Sequence, residues 1–162
     1  MPGALPDGEP VPADGALPEN ATRGLGERPF GIYVHVPFCT TRCGYCDFNT
    51  YTAAELGGTP GSAAVSVGSY PGLAMAEIGF ARKVLAAAGH RTDLQVRTVF
   101  FGGGTPTLMP PSAFGRILRA IDAEFGLAPG AEITTEANQE SEIGSTRLNS
   151  SHITRSRMPS SA

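Results

Sequence analysis

Two stretches of helical periodicity alternate with three short β-rich runs, and this order restricts the chain to an α/β architecture built on parallel strands. Residues 31–36 alternate strictly, with Ile32, Val34 and Val36 on one face and Tyr33 and His35 on the other. From Leu73, apolar residues recur at Ile78, Ala81, Val84, Leu85 and Ala88 before Gly89, the spacing and the stop signal of a helix. Residues 96–101 form a second β-rich run, broken by Gly102-Gly103-Gly104-Thr105-Pro106. Phe114, Ile117, Leu118, Ile121 and Phe125 share one face of a second helix that ends near Gly126. Residues 131–138 give a third strand, with Thr134, Glu136 and Asn138 on one face. Short connections between these elements imply right-handed βαβ crossovers, and ligands of such sheets gather at the carboxyl ends of the strands. A cysteine loop after Pro37, the glycine loop, and Glu136 with Asn138 all fall at those ends, so an active site is expected on that rim.

Composition narrows the partners. Twelve Lys and Arg against fifteen Asp and Glu give a net charge of −3, without the basic excess that binding a phosphate backbone requires, so no nucleic acid is expected. No apolar run approaches the roughly 20 residues that span a bilayer. The start, MPGALPDGEP, has neither a basic n-region nor an apolar h-region, and a cytoplasmic location is expected. Residues 1–29, with six prolines and no apolar periodicity, are expected to be a disordered leader. Residues 47–69, rich in Gly, Ser, Thr and Ala, read as a loop of little functional content.

Residues 30–141 hold the core domain. Beyond them no core face can be drawn, and the net charge swings from −5 over 1–141 to +2 over 142–162. Residues 145–162 resemble the conceptual translation of a short-read sequencing adapter. A non-native, disordered tail without function is expected over 142–162, with no ligand role for His152. Three strands cannot close a barrel and leave an edge unpaired, which points to a fragment.

Cys39, Cys43 and Cys46 are the only cysteines of the chain and lie within eight residues as C-x3-C-x2-C. An odd number packed this closely argues against a disulfide framework and for metal or redox chemistry. Structural zinc takes four ligands, usually as two pairs, and no second pair is present. Three thiolates suit a [4Fe-4S] cluster with one iron left open. From spacing alone, an incomplete zinc knuckle and three unrelated buried cysteines stay open as alternatives.

The run Tyr33-Val-His-Val-Pro-Phe-Cys39-x3-Cys43-x-Tyr45-Cys46, followed by Gly102-Gly103-Gly104-Thr105-Pro106 and Thr134-Thr-Glu136-Ala-Asn138, resembles radical S-adenosylmethionine (SAM) enzymes. Within them it is similar to the branch of oxygen-independent coproporphyrinogen III oxidases and HemW-type heme chaperones. The resemblance covers residues 29–141 and implies the N-terminal portion of a (β/α) barrel, about three β/α units, with disordered termini. It implies that Cys39, Cys43 and Cys46 ligate the [4Fe-4S] cluster, whose open iron would chelate the amino and carboxylate groups of SAM. Tyr33 and Tyr45 would contact SAM, Gly103, Gly104 and Thr105 of the glycine loop would approach its amino group, and Glu136 would accept hydrogen bonds from its ribose. The glycines would serve because a Cβ blocks close approach. No residue is assigned as catalytic; His35 reads as a hydrogen-bonding group near the cluster or, at least as readily, as a satisfied core histidine, and Arg42 as a counter-charge to the cluster or as a solvent-facing side chain.

The oxidases of this branch carry a further cysteine two positions after the third cluster cysteine. Here that position is Phe48, in Cys46-Asp47-Phe48. The resemblance therefore implies a chaperone that binds heme and passes it to recipient proteins, with porphyrin oxidation by a radical reaction as the alternative and enzyme status open. The electron donor and the recipient of heme are not identified by any motif, and membrane contact is expected only through the recipient. The 162-residue chain by itself is expected to be inactive.

Overall fold

The computed structural model describes residues 12–44, 46–56, 65–90, 94–137 and the backbone of 154–155. Its elements run in the order α1 (Glu19–Thr22), β1 (Phe30–Val36), β2 (Phe38–Cys39), β3 (Tyr51–Thr52), α2 (Ala53–Leu56), α3 (Tyr70–Ala87), β4 (Val96–Gly103), a 3-10 turn (Pro106–Leu108), α4 (Pro111–Phe125), β5 (Leu127–Thr135) and β6 (Thr154–Arg155). One sheet has the strand order β1-β4-β5-β6; β2 and β3 form a separate parallel pair. β1 pairs parallel with β4, and β4 parallel with β5, which is the succession of βαβ units expected from the alternation.

Two-residue periodicity drives β1, where Val34 and Val36 are buried while Gly31 and Tyr33 are exposed. In β4 the alternation slips: Arg97 and Thr98 are both exposed between buried Val96 and Val99. The cause is a bulge, since the register with each neighbouring strand shifts between Val96 and Thr98. β5 begins four residues earlier than the sequence suggests. Pro129-Gly130 looks like a turn, yet lies in the irregular stretch between the pairings Val96 with Leu127 and Thr98 with Glu132, with Gly130 at φ 73°. Asn138, the expected end of this strand, lies outside the described residues.

α4 presents Ala113, Ile117, Leu118 and Ile121 to the core, one helical stripe against Val34, Val36, Val96, Val99 and Phe101 of the sheet. Phe101 and Phe114 rings meet at 4.9 Å across this layer, and burying Phe101 fully contributes about 1.5–3 kcal/mol. α3 starts with Pro71 in its first turn, where a missing N–H costs nothing. Gly89 at φ 98° ends it. It is less buried than α4, with Leu73 and Phe80 each 51% exposed.

Within the stretch expected to be an unstructured leader, α1 follows Pro18, and an isolated bridge joins Leu25 to Arg28. Gly15 sits against α3: a Cβ there would lie 2.5 Å from the Phe80 ring. In the segment expected to be a tail, β6 pairs antiparallel with Thr134 and Thr135 of β5. Among the described residues no helix is long and apolar enough to cross a membrane.

Candidate functional site

The carboxyl ends of β1, β4 and β5 meet at one rim. Register places His35 opposite Gly102 and Val36 opposite Gly103, while Phe101 lies opposite Thr135. Chain order then sets the cysteine loop, the glycine loop and Glu136 side by side at these strand ends. The Glu136 backbone N–H still donates to the Phe101 carbonyl at 2.9 Å, and its Oε2 accepts the Gly103 N–H at 3.0 Å. Tyr33 stands 52% exposed at this rim, its ring stacked 5.9 Å from Phe100. Its hydroxyl pKa is raised, chiefly by desolvation and further by the Glu136 carboxylate.

The glycine loop is built by contact. A Cβ on Gly102 would lie 2.6 Å from the Phe100 ring and 3.1 Å from both the Glu136 carboxylate and the Tyr33 ring. Gly103, at φ 113°, turns the backbone past the His35 ring. Gly104 lies directly on the Phe38 backbone, donating its N–H to the Val36 carbonyl at 2.8 Å, and the Thr105 N–H donates to the Phe38 carbonyl at 2.5 Å. Close approach, the reason glycine is needed there, is thus already required by the protein's own strands. Thr105 is 7% exposed and Pro106 is fully buried, so this part of the loop anchors the rim.

The cysteine loop leaves β1 at Pro37. Cys39 lies in β2, half-buried; Cys43 is exposed and Cys46 half-buried, and all three are free thiols. The Cys46 N–H donates to the Cys43 carbonyl at 3.1 Å, closing a tight turn around the last two thiols. Tyr45, within that turn, lies outside the described residues. Among the described residues no three His, Cys, Asp or Glu side chains converge closely enough to hold a metal ion. In chemical type the donors nonetheless suit the expected group: thiolates are the ligands iron–sulfur clusters take, and three free thiols lie on this one loop.

The segment that reads as an uninformative loop holds the cysteine loop in place. The Tyr51 N–H donates to the Pro37 carbonyl at 2.7 Å, and β3 pairs with β2. Arg42 donates to the Thr50 carbonyl at 2.5 Å and pairs with Glu55 at 3.3 Å, so its charge is met by a carboxylate. Glu55 in turn accepts from the Thr52 N–H and hydroxyl, which, with Arg42, lowers its pKa. Thr50 is 1% exposed, its hydroxyl 3.8 Å from the Cys46 sulfur. Asn49, Thr50 and Glu55 carry no motif in the sequence; only their distance from Pro37 across a closed loop would have drawn notice to them.

Behind the rim, the Tyr70 hydroxyl donates to the His35 carbonyl at 2.5 Å. Burial, then Glu77 and Tyr33, push its pKa from 10.0 to about 12. The fold favours the neutral phenol, so this contribution to stability is complete below pH 10 and is lost as pH rises to about 12. Alkaline titration followed by tyrosinate absorbance should show a step near pH 12, and Tyr70→Phe should remove that step. An unchanged curve in Tyr70→Phe would contradict it.

The chain is similar to known proteins over most of its length. Residues 33–142 match the family model described as the Radical SAM superfamily. The chain is 47% identical over 114 residues to the heme chaperone HemW of Mycobacterium tuberculosis, covering 70% of this chain and 26% of that protein. It is 36% identical over 110 residues to the heme chaperone HemW of Escherichia coli, 68% of this chain and 25% of that protein. To the oxygen-independent coproporphyrinogen III oxidase of Bradyrhizobium diazoefficiens it is 33% identical over 118 residues, 70% of this chain and 23% of that protein. The chain therefore spans about a quarter of the length of these relatives. The solved coproporphyrinogen III oxidase of Escherichia coli, described as a radical SAM enzyme, shares the fold at a TM-score of 0.54 and 23% identity, over 78% of this chain and 26% of that one. With a strand-end cysteine loop, a glycine loop locked beside it, and a family match over most of its described core, the chain belongs to the Radical SAM superfamily.

Proposed function

We propose that this chain forms the cluster-bearing and SAM-binding part of a HemW-type heme chaperone, one that binds heme and passes it to recipient proteins. The observation that carries the reading is Phe48. It stands two positions after Cys46, where the oxidases of the branch have a further cysteine, and its side chain is 62% exposed. No thiol is available there. The 47% identity to a heme chaperone, against 33% to an oxidase, supports the same choice.

Cys39, Cys43 and Cys46 would hold the [4Fe-4S] cluster, and Tyr33, Tyr45, Gly103, Gly104, Thr105 and Glu136 would frame SAM. Together, when bound, these cofactors would supply one-electron chemistry that no side chain offers. The protein's share is positional. Glu136 spends Oε2 on the Gly103 N–H and as a carboxylate keeps acceptor capacity on Oε1 for a ribose hydroxyl. The glycine loop fixes the start of the cysteine loop, and Arg42 and Tyr51 fix its return. A cytoplasmic location suits this chemistry, because thiols stay reduced there.

The test is made on the natural gene product, reconstituted anaerobically with iron and sulfide. Heme titration and turnover of coproporphyrinogen III are followed on the same preparation. Stable, stoichiometric heme binding without turnover is the expected result. Conversion of coproporphyrinogen III to protoporphyrinogen IX would overturn the chaperone reading and assign the oxidase reaction.

A further inference from the structure

One imidazole joins the three parts of the rim, and none of the roles above uses it. His35 Nε2 lies 2.9 Å from the Asn49 carbonyl oxygen, and His35 Nδ1 lies 2.8 Å from the Tyr33 hydroxyl. The direction of this chain follows from chemistry. A carbonyl oxygen has no proton to give, so Nε2 carries the hydrogen and donates to Asn49. A neutral imidazole then has a bare Nδ1, and the Tyr33 hydroxyl donates into it.

The ring is also fixed in place. Gly103 lies against it so closely that a Cβ there would be 2.6 Å from Cε1 and 2.7 Å from Nδ1. The His35 carbonyl is held by the Tyr70 hydroxyl. Strand β1, the glycine loop and the exit of the cysteine loop, three residues after Cys46, thus share one side chain whose two nitrogens have different partners.

We propose that His35 is a positioning residue: its Nε2–H tautomer aims the Tyr33 hydroxyl with one nitrogen and pins the cysteine loop at Asn49 with the other. What Tyr33 and the loop face rests on the radical SAM site proposed above; the tautomer and its two hydrogen bonds do not. A histidine that merely fills space would have no fixed tautomer, and any side chain of similar size would replace it.

The first test is 15N NMR of the full chain labelled at histidine, at about pH 8, above the usual histidine range. His35 is assigned among the three histidines by the signal lost in His35→Gln. One nitrogen should show the protonated shift at Nε2 and the other the bare shift at Nδ1. Averaging between tautomers, or a proton on Nδ1, would overturn the proposal. The second test uses two variants of the reconstituted protein, because asparagine places a polar atom near the Nδ1 position and glutamine near the Nε2 position. His35→Gln should weaken SAM binding about tenfold, the loss of one hydrogen bond, with iron release to EDTA unchanged. His35→Asn should do the reverse, speeding iron release about tenfold with smaller loss of SAM affinity. Identical behaviour of both variants and native protein would overturn the positioning role. If native protein holds neither iron nor SAM, the site reading fails, while the NMR result still decides the tautomer.

Discussion

Cys43→Ala is expected to abolish the cluster signal of the anaerobically reconstituted protein while leaving the fold intact. Cys43 is exposed and takes no part in the hydrophobic core, so its loss costs the fold no more than about 0.5 kcal/mol. For the proposed cluster the same change is decisive, because each of the three thiolates would anchor a different iron and the loop has no fourth thiol to take over. Far-UV circular dichroism should therefore match native protein while the visible charge-transfer absorption disappears. Cys39→Ala and Cys46→Ala should behave alike in the second respect. They should also cost somewhat more stability, since both thiols are half-buried and the Cys46 sulfur faces buried Thr50. A normal [4Fe-4S] spectrum in Cys43→Ala would remove it from the ligand set. A colourless, air-stable protein holding one zinc would favour the zinc-knuckle alternative instead.

Gly104→Ala should damage the rim by a different route, without touching a cysteine. The added Cβ would lie 2.3 Å from the Phe38 carbonyl oxygen, 2.8 Å from its carbon and 3.0 Å from its nitrogen. These are backbone atoms and cannot swing away as a side chain tip would. Relief requires the glycine loop to lift from the start of the cysteine loop, which breaks the Gly104 to Val36 and Thr105 to Phe38 hydrogen bonds. Two such bonds are worth about 0.5–1.5 kcal/mol each, and overpacking typically adds about 1–3 kcal/mol. Destabilisation of about 2–6 kcal/mol is expected in chemical denaturation, together with weaker retention of iron. Gly126→Ala is the control: Gly126 has open space at its Cβ, so only the strain of its φ of 75° is incurred there. If Gly104→Ala is no worse than Gly126→Ala, the glycine loop does not clamp the cysteine loop.

What the sequence made legible follows from periodicity. β1 and α4 each bury a face that can be read directly, Val34 with Val36 and Ile117 with Ile121. Both the parallel order of β1, β4 and β5 and the shared rim follow from those elements and the shortness of their connections. The early start of β5 was hidden by Pro129-Gly130, a pair that signals a turn but here occupies a bulge. More consequential is the clamp from Asn49 to Glu55. Its segment has no apolar repeat, and its partners His35, Pro37 and Arg42 are met only once the loop has closed on itself. The glycine loop was legible as a close-approach motif, yet the sequence could not tell that Phe38, His35 and Phe100 are what it approaches. Motifs reveal which residues chemistry needs; packing reveals which neighbours hold them.

The central claim is that three thiols on the loop after β1 hold a cluster that SAM reaches beside Tyr33 and Glu136. It is tested most directly by electron paramagnetic resonance on the anaerobically reconstituted, dithionite-reduced protein, with iron and sulfide counted on the same sample. The account predicts roughly four irons per chain and a reduced-cluster signal whose shape changes when SAM is added. A sample that binds no iron, or a cluster signal indifferent to SAM, would contradict it.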